Sequence, residues 1–382
     1  MWILGKKYLN QRILGDSLNQ RILQISLNFC YDRHRSFTMP FAHHTVTAAL
    51  PLLLLLPMAS VLAQAPQQSF TDVPSNHPAF QAVGYLKAQG VIAGYSDGTF
   101  RPDKKVNRAE AVKIIVSPLV PTGELPMSVP VVYSDVPTLA WFAPYLEVAR
   151  TKLGIIDGPP KTTAFNGERP VKKAEFLKML LLANKIDPGA FSEIRLPLAA
   201  DVTNPDDWYY PYMRYALTAS LTMVSADGLL SPGRELTRAD VALLLHRLLM
   251  YREGRRTQAL LTESETEIAN VLDFIGKNDL PNAELASARA LLAARGAHAS
   301  KPTVPLVQAA LKITESFRTL VRAYRAGISR QFDDVIALAG EAWNLAAKGG
   351  ALHKELTSIA EKVQQIAKTM ADNARMLKAQ VP

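Results

Sequence analysis

The stretch Gly94-Tyr95-Ser96-Asp97-Gly98-Thr99-Phe100-Arg101-Pro102, followed by Val106-Asn107-Arg108-Ala109-Glu110, decides the fold, because the chain repeats its plan twice more. The closing phrase returns as Val171-Lys172-Lys173-Ala174-Glu175 and as Leu236-Thr237-Arg238-Ala239-Asp240. Its basic residue falls at 108, 173 and 238, an even step of 65. Working outward, each unit opens on Asp-Val, at Asp72-Val73, Asp135-Val136 and Asp201-Val202. A fixed period this long marks tandem copies of one supersecondary unit that bury their apolar faces against each other.

Within the first unit, Phe80, Val83 and Leu86 recur at steps of three and predict an amphipathic helix that ends at Gly90. Gly94 and Gly98 are free to take positive φ in a dense turn. Asn107 and Glu110 have the spacing of a capping box and predict a second helix over Ala111, Val112, Ile114 and Ile115. The second unit repeats the plan with Trp141, Phe142 and Tyr145, then Gly154 to Gly158. The third has Trp208-Tyr209-Tyr210 and a degraded turn at Asp227-Gly228. Each repeat reads helix, structured loop, helix, so the fold class is mostly α. Asp72, Asp135 and Asp201 read as helix caps or loop organisers. Asp97-Gly98 hints at a calcium loop, but no alternating series of oxygen ligands follows.

The run Phe70-Thr71-Asp72-Val73, the 94–102 turn and the Arg108-Ala109-Glu110 and Thr237-Arg238-Ala239-Asp240 closings resemble the S-layer homology domain. The resemblance covers about residues 69 to 252, with repeats at 69–121, 132–186 and 198–252. It implies a pseudo-threefold assembly whose grooves hold a cell-wall polysaccharide, often an acidic one. A sugar carboxylate needs a fixed cation, and guanidinium matches it bidentately. By resemblance Arg108 and Arg238 take that role, and Lys173 stands where arginine is usual, which puts the second groove in question. Trp141 and Trp208 then offer flat faces, while Gly94 and Gly158 let backbone approach the ligand. Spacing alone leaves another option open: Glu110, Glu175 and Asp240 sit two residues past each cation, and a partner acid such as Glu110 or Asp240 would hold the arginines on the surface.

Outside the repeats, residues 1–38 look extraneous, with Leu9 to Leu14 echoed at Leu18 to Leu23. Residues 39–63 read as a signal peptide cut after Ala63, or as a signal anchor if uncut. The single cysteine, Cys30, lies in the leader, so the exported protein would have no thiol. The net charge of +9 is not evenly spread: residues 64–253 hold 20 basic and 19 acidic side chains and residues 254–382 hold 17 and 13, which is no nucleic-acid footprint.

From residue 255 to 382 the composition turns to Ala, Leu, Lys and Arg, and five helices are predicted: 257–276, one after Pro281 ending near Gly296, Pro305 to Gly327, 330–348 stopped by Gly349-Gly350, and 351–379. In the last, Leu352, Leu356, Ile359, Val363, Ile366 and Met370 form a coiled-coil-like heptad seam, for packing inside a tail bundle or for pairing with another copy. No catalytic, cofactor or metal motif is recognisable. The expected function is therefore a non-catalytic, extracytoplasmic anchor on cell-wall polysaccharide or peptidoglycan. The alternatives are an envelope scaffold assembling through the tail, and a targeting module for an enzyme.

Overall fold

The computed structural model describes residues 68–130, 132–158 and 161–380. The leader, the signal segment and Cys30 lie outside the described residues.

Two helices come from each repeat: α1 (Phe80–Ala88) and α2 (Arg108–Val116), α3 (Ala143–Thr151) and α4 (Lys173–Ala183), α5 (Tyr210–Thr218) and α6 (Arg238–Arg252). The tail adds α7 (Thr257–Gly276), α8 (Leu280–Ser300), α9 (Pro305–Ile328), α10 (Phe332–Leu352) and α11 (Thr357–Ala379). The mostly α expectation holds.

The second helix of each repeat starts where the closing phrase places it. Asn107 accepts from Glu110 N at 2.8 Å and its own N–H reaches the Glu110 carboxylate at 3.0 Å. Thr237 and Asp240 reciprocate in the same way. Lysine has no acceptor, so at Lys172 only the half in which Glu175 accepts the Lys172 N–H, at 3.0 Å, is made.

The three repeats close into a ring. Val106 N–H donates to Leu236 O at 3.0 Å, Leu236 N–H to Val171 O at 3.1 Å, and Val171 N–H to Val106 O at 2.9 Å. These residues, each 0% exposed, are the first residues of the three closing phrases. A hydrogen-bonded triangle of equivalent backbone groups is the pseudo-threefold axis. Buried amides must be paired, and here each repeat supplies the acceptor that another lacks.

A helical hairpin within one repeat is the natural reading of helix, loop, helix, and the structure corrects it. α2 packs on α3, α4 on α5, and α6 returns to α1. Every two-helix prong therefore joins the second helix of one repeat to the first helix of the next. The loop between them is long enough to cross the axis, so no repeat buries its apolar faces alone.

The tail is continuous with this ring. Leu260, Leu261, Leu292, Ala297 and Val307 belong to the repeats' core, while Ile313, Phe317, Val335 and Ile366 build a second core farther along the bundle. α8 lies against α5 at Gly296, where a Cβ would stand 1.7 Å from Thr218 O, and Tyr251 Oη donates to Gly296 O at 3.1 Å. Helix ends expected at glycines are corrected here. α8 runs through Gly296 and α10 through Gly349 and Gly350. A Cβ at Gly349 would meet Ile313 at 2.9 Å, and one at Gly350 would meet Ala360 at 2.9 Å. These glycines let helices touch; they do not stop them.

The heptad seam is partly confirmed as internal packing. Val363, Ile366 and Met370 are buried between helices of the same chain. Leu352 is 41% exposed and belongs to α10, so the seam begins at Leu356. Among the described residues no helix is long and apolar enough to cross a membrane.

Candidate functional site

The geometry around each cation follows from the opening aspartates, which organise loops and cap no helix. Asp72 accepts from Phe100 N at 2.7 Å and Arg101 N at 2.6 Å. Asp135 takes Phe165 N and Asn166 N, and Asp201 takes Leu230 N and Ser231 N, at 2.6–2.8 Å. Arg101, Asn166 and Ser231 carry positive φ of 58°, 58° and 52°. Non-glycine residues reach this region only when their surroundings compel it, and two charge-assisted hydrogen bonds supply the compulsion.

The carbonyl of the residue just before each strained position receives the cation of another repeat. Arg238 Nε donates to Phe100 O at 2.7 Å, Arg108 Nε to Phe165 O at 3.1 Å, and Lys173 Nζ to Leu230 O at 2.7 Å. A second bond runs from Arg238 Nη2 to Ala93 O at 3.0 Å. The guanidinium carbons also lie over rings, Arg238 at 4.5 Å from the Phe100 centroid and Arg108 at 5.1 Å from that of Phe165.

The acids of the closing phrases are claimed by a different set of cations. Lys104 reaches Glu110 at 2.9 Å, Arg169 reaches Glu175 at 2.7 Å, and Arg234 reaches Asp240 at 2.8 Å. Burial works to raise Glu175 and Asp240, but the hydrogen bonds from Arg169 and Arg234 keep both carboxyls below their ordinary values. Neither Arg108 with Glu110 nor Arg238 with Asp240 forms an ion pair among the described residues. Arg108 has only Glu175 at 3.9 Å. Burial lowers its affinity for the proton, opposed by Glu175.

Each cation lines a cleft between repeats. Arg238 faces the first, about 510 Å³, with Gly94, Tyr95, Lys113 and Trp141. Arg108 faces the second, about 330 Å³, with Asp157, Phe165, Lys178 and Trp208. Lys173 faces the third, about 340 Å³, with Leu221, Arg234, Leu243 and Arg247. Lys173 thus belongs to the cleft walled by the third repeat's loop, and the second cleft keeps an arginine. The sequence places Lys173 in the second repeat but cannot say whose loop it meets.

Lys173 is 7% exposed, and burial lowers it to about 8. Held less tightly in the folded chain than in the unfolded one, its proton makes this site's contribution to stability rise as pH climbs from about 8 to 10.5. The third cleft sheds this charge near pH 8, whereas guanidinium groups keep theirs. Within the third repeat Arg247 donates to Leu221 O at 3.0 Å, and from the start of the tail Arg256 donates to Ser220 O, one residue earlier, at 3.2 Å.

Trp141 and Trp208 are 52% and 55% exposed at the rims of the first and second clefts. Gly94 lines the first, yet its φ is not positive; a Cβ there would fall 2.3 Å from Phe70 and 2.7 Å from Thr99 O. Gly98 does take positive φ, at 78°. A Cβ at Gly158 would meet Arg150 at 3.1 Å, beside Asp157 and outside the cleft lining. Asp97 accepts from Thr99 N at 3.0 Å and pairs with Arg101 at 2.9 Å, so its carboxylate organises the turn. Among the described residues no group of side chains is arranged to hold a metal ion.

Lys113 and Lys178 did not stand out in the sequence, although they recur at the same 65-residue step, with Leu243 in the third copy. That period is the signal that finds them.

The comparisons with known proteins agree with this architecture. The family described as the S-layer homology domain matches at residues 69–112, 132–177 and 200–242. The chain is 28% identical over 199 residues to S-layer protein EA1 of Bacillus anthracis, covering 52% of this chain and 21% of that protein. It is 30% identical over 210 residues to the surface-layer 125 kDa protein of Lysinibacillus sphaericus, covering 54% and 16%. It is 31% identical over 118 residues to the cellulosome-anchoring protein of Acetivibrio thermocellus, covering 29% and 25%. The chain thus spans a quarter or less of these relatives' lengths. With three family matches lying on the three units of the ring, the chain is an S-layer homology domain protein, three tandem copies followed by a helical C-terminal region.

Proposed function

We propose that this chain is a non-catalytic anchor of the cell envelope, exported from the cytoplasm, whose ring of repeats grips an acid-bearing wall polysaccharide and displays the helical tail. One observation carries the reading. The cations at 108 and 238 turn into open clefts, fixed by backbone carbonyls, while the acids beside them are neutralised by Lys104 and Arg234. Positive charge immobilised without a strong partner, on a wall of a groove, is arranged for an anionic ligand. The names of the relatives, surface-layer and anchoring proteins, support the same placement.

The test is co-sedimentation of the protein with purified wall sacculi, before and after the attached polymer is stripped chemically. Binding that disappears with the polymer is expected. Undiminished binding to stripped sacculi would move the ligand to peptidoglycan, and no binding to either would remove the anchoring role.

A further inference from the structure

The outward side of α10 is not built like the surface of a solvated helix. Val335, Ala339, Ala342, Ala346 and Gly349 are its buried residues, packed toward α9 and α11. The opposite side carries Ala337, Gly340, Asn344, Ala347 and Ala351, all exposed, at steps of 3, 4, 3 and 4. Between Asp334 and Lys348 there is a single charged residue, Glu341. A surface helix ordinarily turns charges to water, as α11 does with Glu361, Lys368 and Arg375. One edge of the α10 row is apolar, with half-buried Ile336 and, seven residues on, Trp343, whose side is 40% exposed. The other edge carries Asp334, Glu341 and Lys348 at the same seven-residue spacing, all exposed. None of these three makes an ion pair with another described residue. Gly340 is a separate anomaly. Glycine inside a helix is destabilising relative to alanine. Gly296, Gly349 and Gly350 each have a neighbour that a Cβ would strike, whereas a Cβ at Gly340 would meet nothing within 4 Å. No contact within the chain calls for it.

We infer that this face of α10 pairs with the same face of a second copy, antiparallel, crossing near Gly340. The charges select both the occupant and its direction. Asp334 and Lys348 stand seven positions before and after Glu341, so antiparallel pairing lays Asp334 of each copy against Lys348 of the other. Parallel pairing would set acid against acid and lysine against lysine. A two-fold pair also brings the apolar edges together, so Ile336 and Trp343 of both copies are covered. Charges flanking a 3–4 row are the usual selectors of partner and orientation in paired helices. The two Glu341 side chains meet at the centre of the charged edge and weaken the pair. Gly340 and its small neighbours let the two backbones approach closely. The seam on α11 is thus spent inside the chain, and α10 is the helix left free to pair. The pairing does not depend on the anchoring reading; together with it, each pair carries two rings, and two wall contacts hold better than one.

The experiment is sedimentation equilibrium of the full chain across the micromolar range, with no wall material present. The mass is expected to rise with concentration from one chain to two. Gly340→Leu should raise the dissociation constant at least about tenfold without lowering the thermal unfolding midpoint, because leucine is the better helix former and meets nothing inside the chain. A glycine needed for the fold would give the opposite pattern. Lys348→Asp should weaken the pair by a similar factor, and adding Asp334→Lys to the same chain should restore it. Glu341→Gln should tighten it. A mass of one chain at every concentration overturns the inference. So does a Gly340→Leu chain that pairs like wild type, or a charge-swapped chain that pairs no better than Lys348→Asp alone. None of these results touches sacculus binding, so failure here and failure of the anchoring role are read separately.

Discussion

Asp72→Ala is expected to destabilise the chain by about 3 kcal/mol, read as a lower midpoint of urea unfolding, because hydrogen bonds to a charged group contribute about 1.5–3 kcal/mol each and two backbone donors, one part-buried and one exposed, lose their acceptor. The donors are Phe100 N and Arg101 N, at 2.7 and 2.6 Å. Arg101 would also lose what holds it at a φ of 58°. Phe100 O receives Arg238 Nε, so the loop's collapse reaches the first cleft as well as the core. Asp72→Asn, which keeps the shape but has a single acceptor oxygen and no charge, should fall between wild type and alanine. An unchanged midpoint for Asp72→Ala would show that the loop is held by something other than its aspartate.

Gly296→Val should have a comparable effect by a different route. The added Cβ would stand 1.7 Å from Thr218 O, a backbone atom that cannot swing aside. Overpacking usually costs about 1–3 kcal/mol, occasionally more, and a rigid helix-on-helix contact belongs at the upper end. The expected result is separation of α8 from α5, seen calorimetrically as two unfolding transitions where wild type shows one. The Tyr251–Gly296 hydrogen bond would be lost with it. A single transition at the wild-type temperature would mean that the tail is not docked through this contact.

Much of this arrangement is legible in the chain itself. The 65-residue step announces three equivalent units, and the Asn107–Glu110 and Thr237–Asp240 spacings announce where their second helices begin. These are local signals, satisfied within four residues. What the order of residues does not disclose is which repeat each helix and each cation meets. Lys173 reaches Leu230 O across 57 positions, and Arg238 reaches Phe100 O across 138. Only closure of the ring selects those partners. Glycines misled for a related reason. Gly296 and Gly349 carry the same residue type as a helix stop, but close approach to a neighbouring helix is their use, and that neighbour is invisible locally. The seam residues Val363, Ile366 and Met370 pack inside the chain, a destination the period alone does not disclose, since it does not say whether the partner helix is in the same chain.

The most direct test of the cationic clefts is sacculus co-sedimentation of the Arg108→Ala/Arg238→Ala protein. Both side chains make their hydrogen bonds to loop carbonyls at the cleft wall, and circular dichroism must first show the helices intact. Binding reduced at least tenfold relative to wild type is the predicted result, as two charge-assisted contacts of about 1.5–3 kcal/mol each are removed. Sedimentation equal to wild type, in a protein with unchanged helical content, would contradict the claim that these clefts grip the envelope through their arginines.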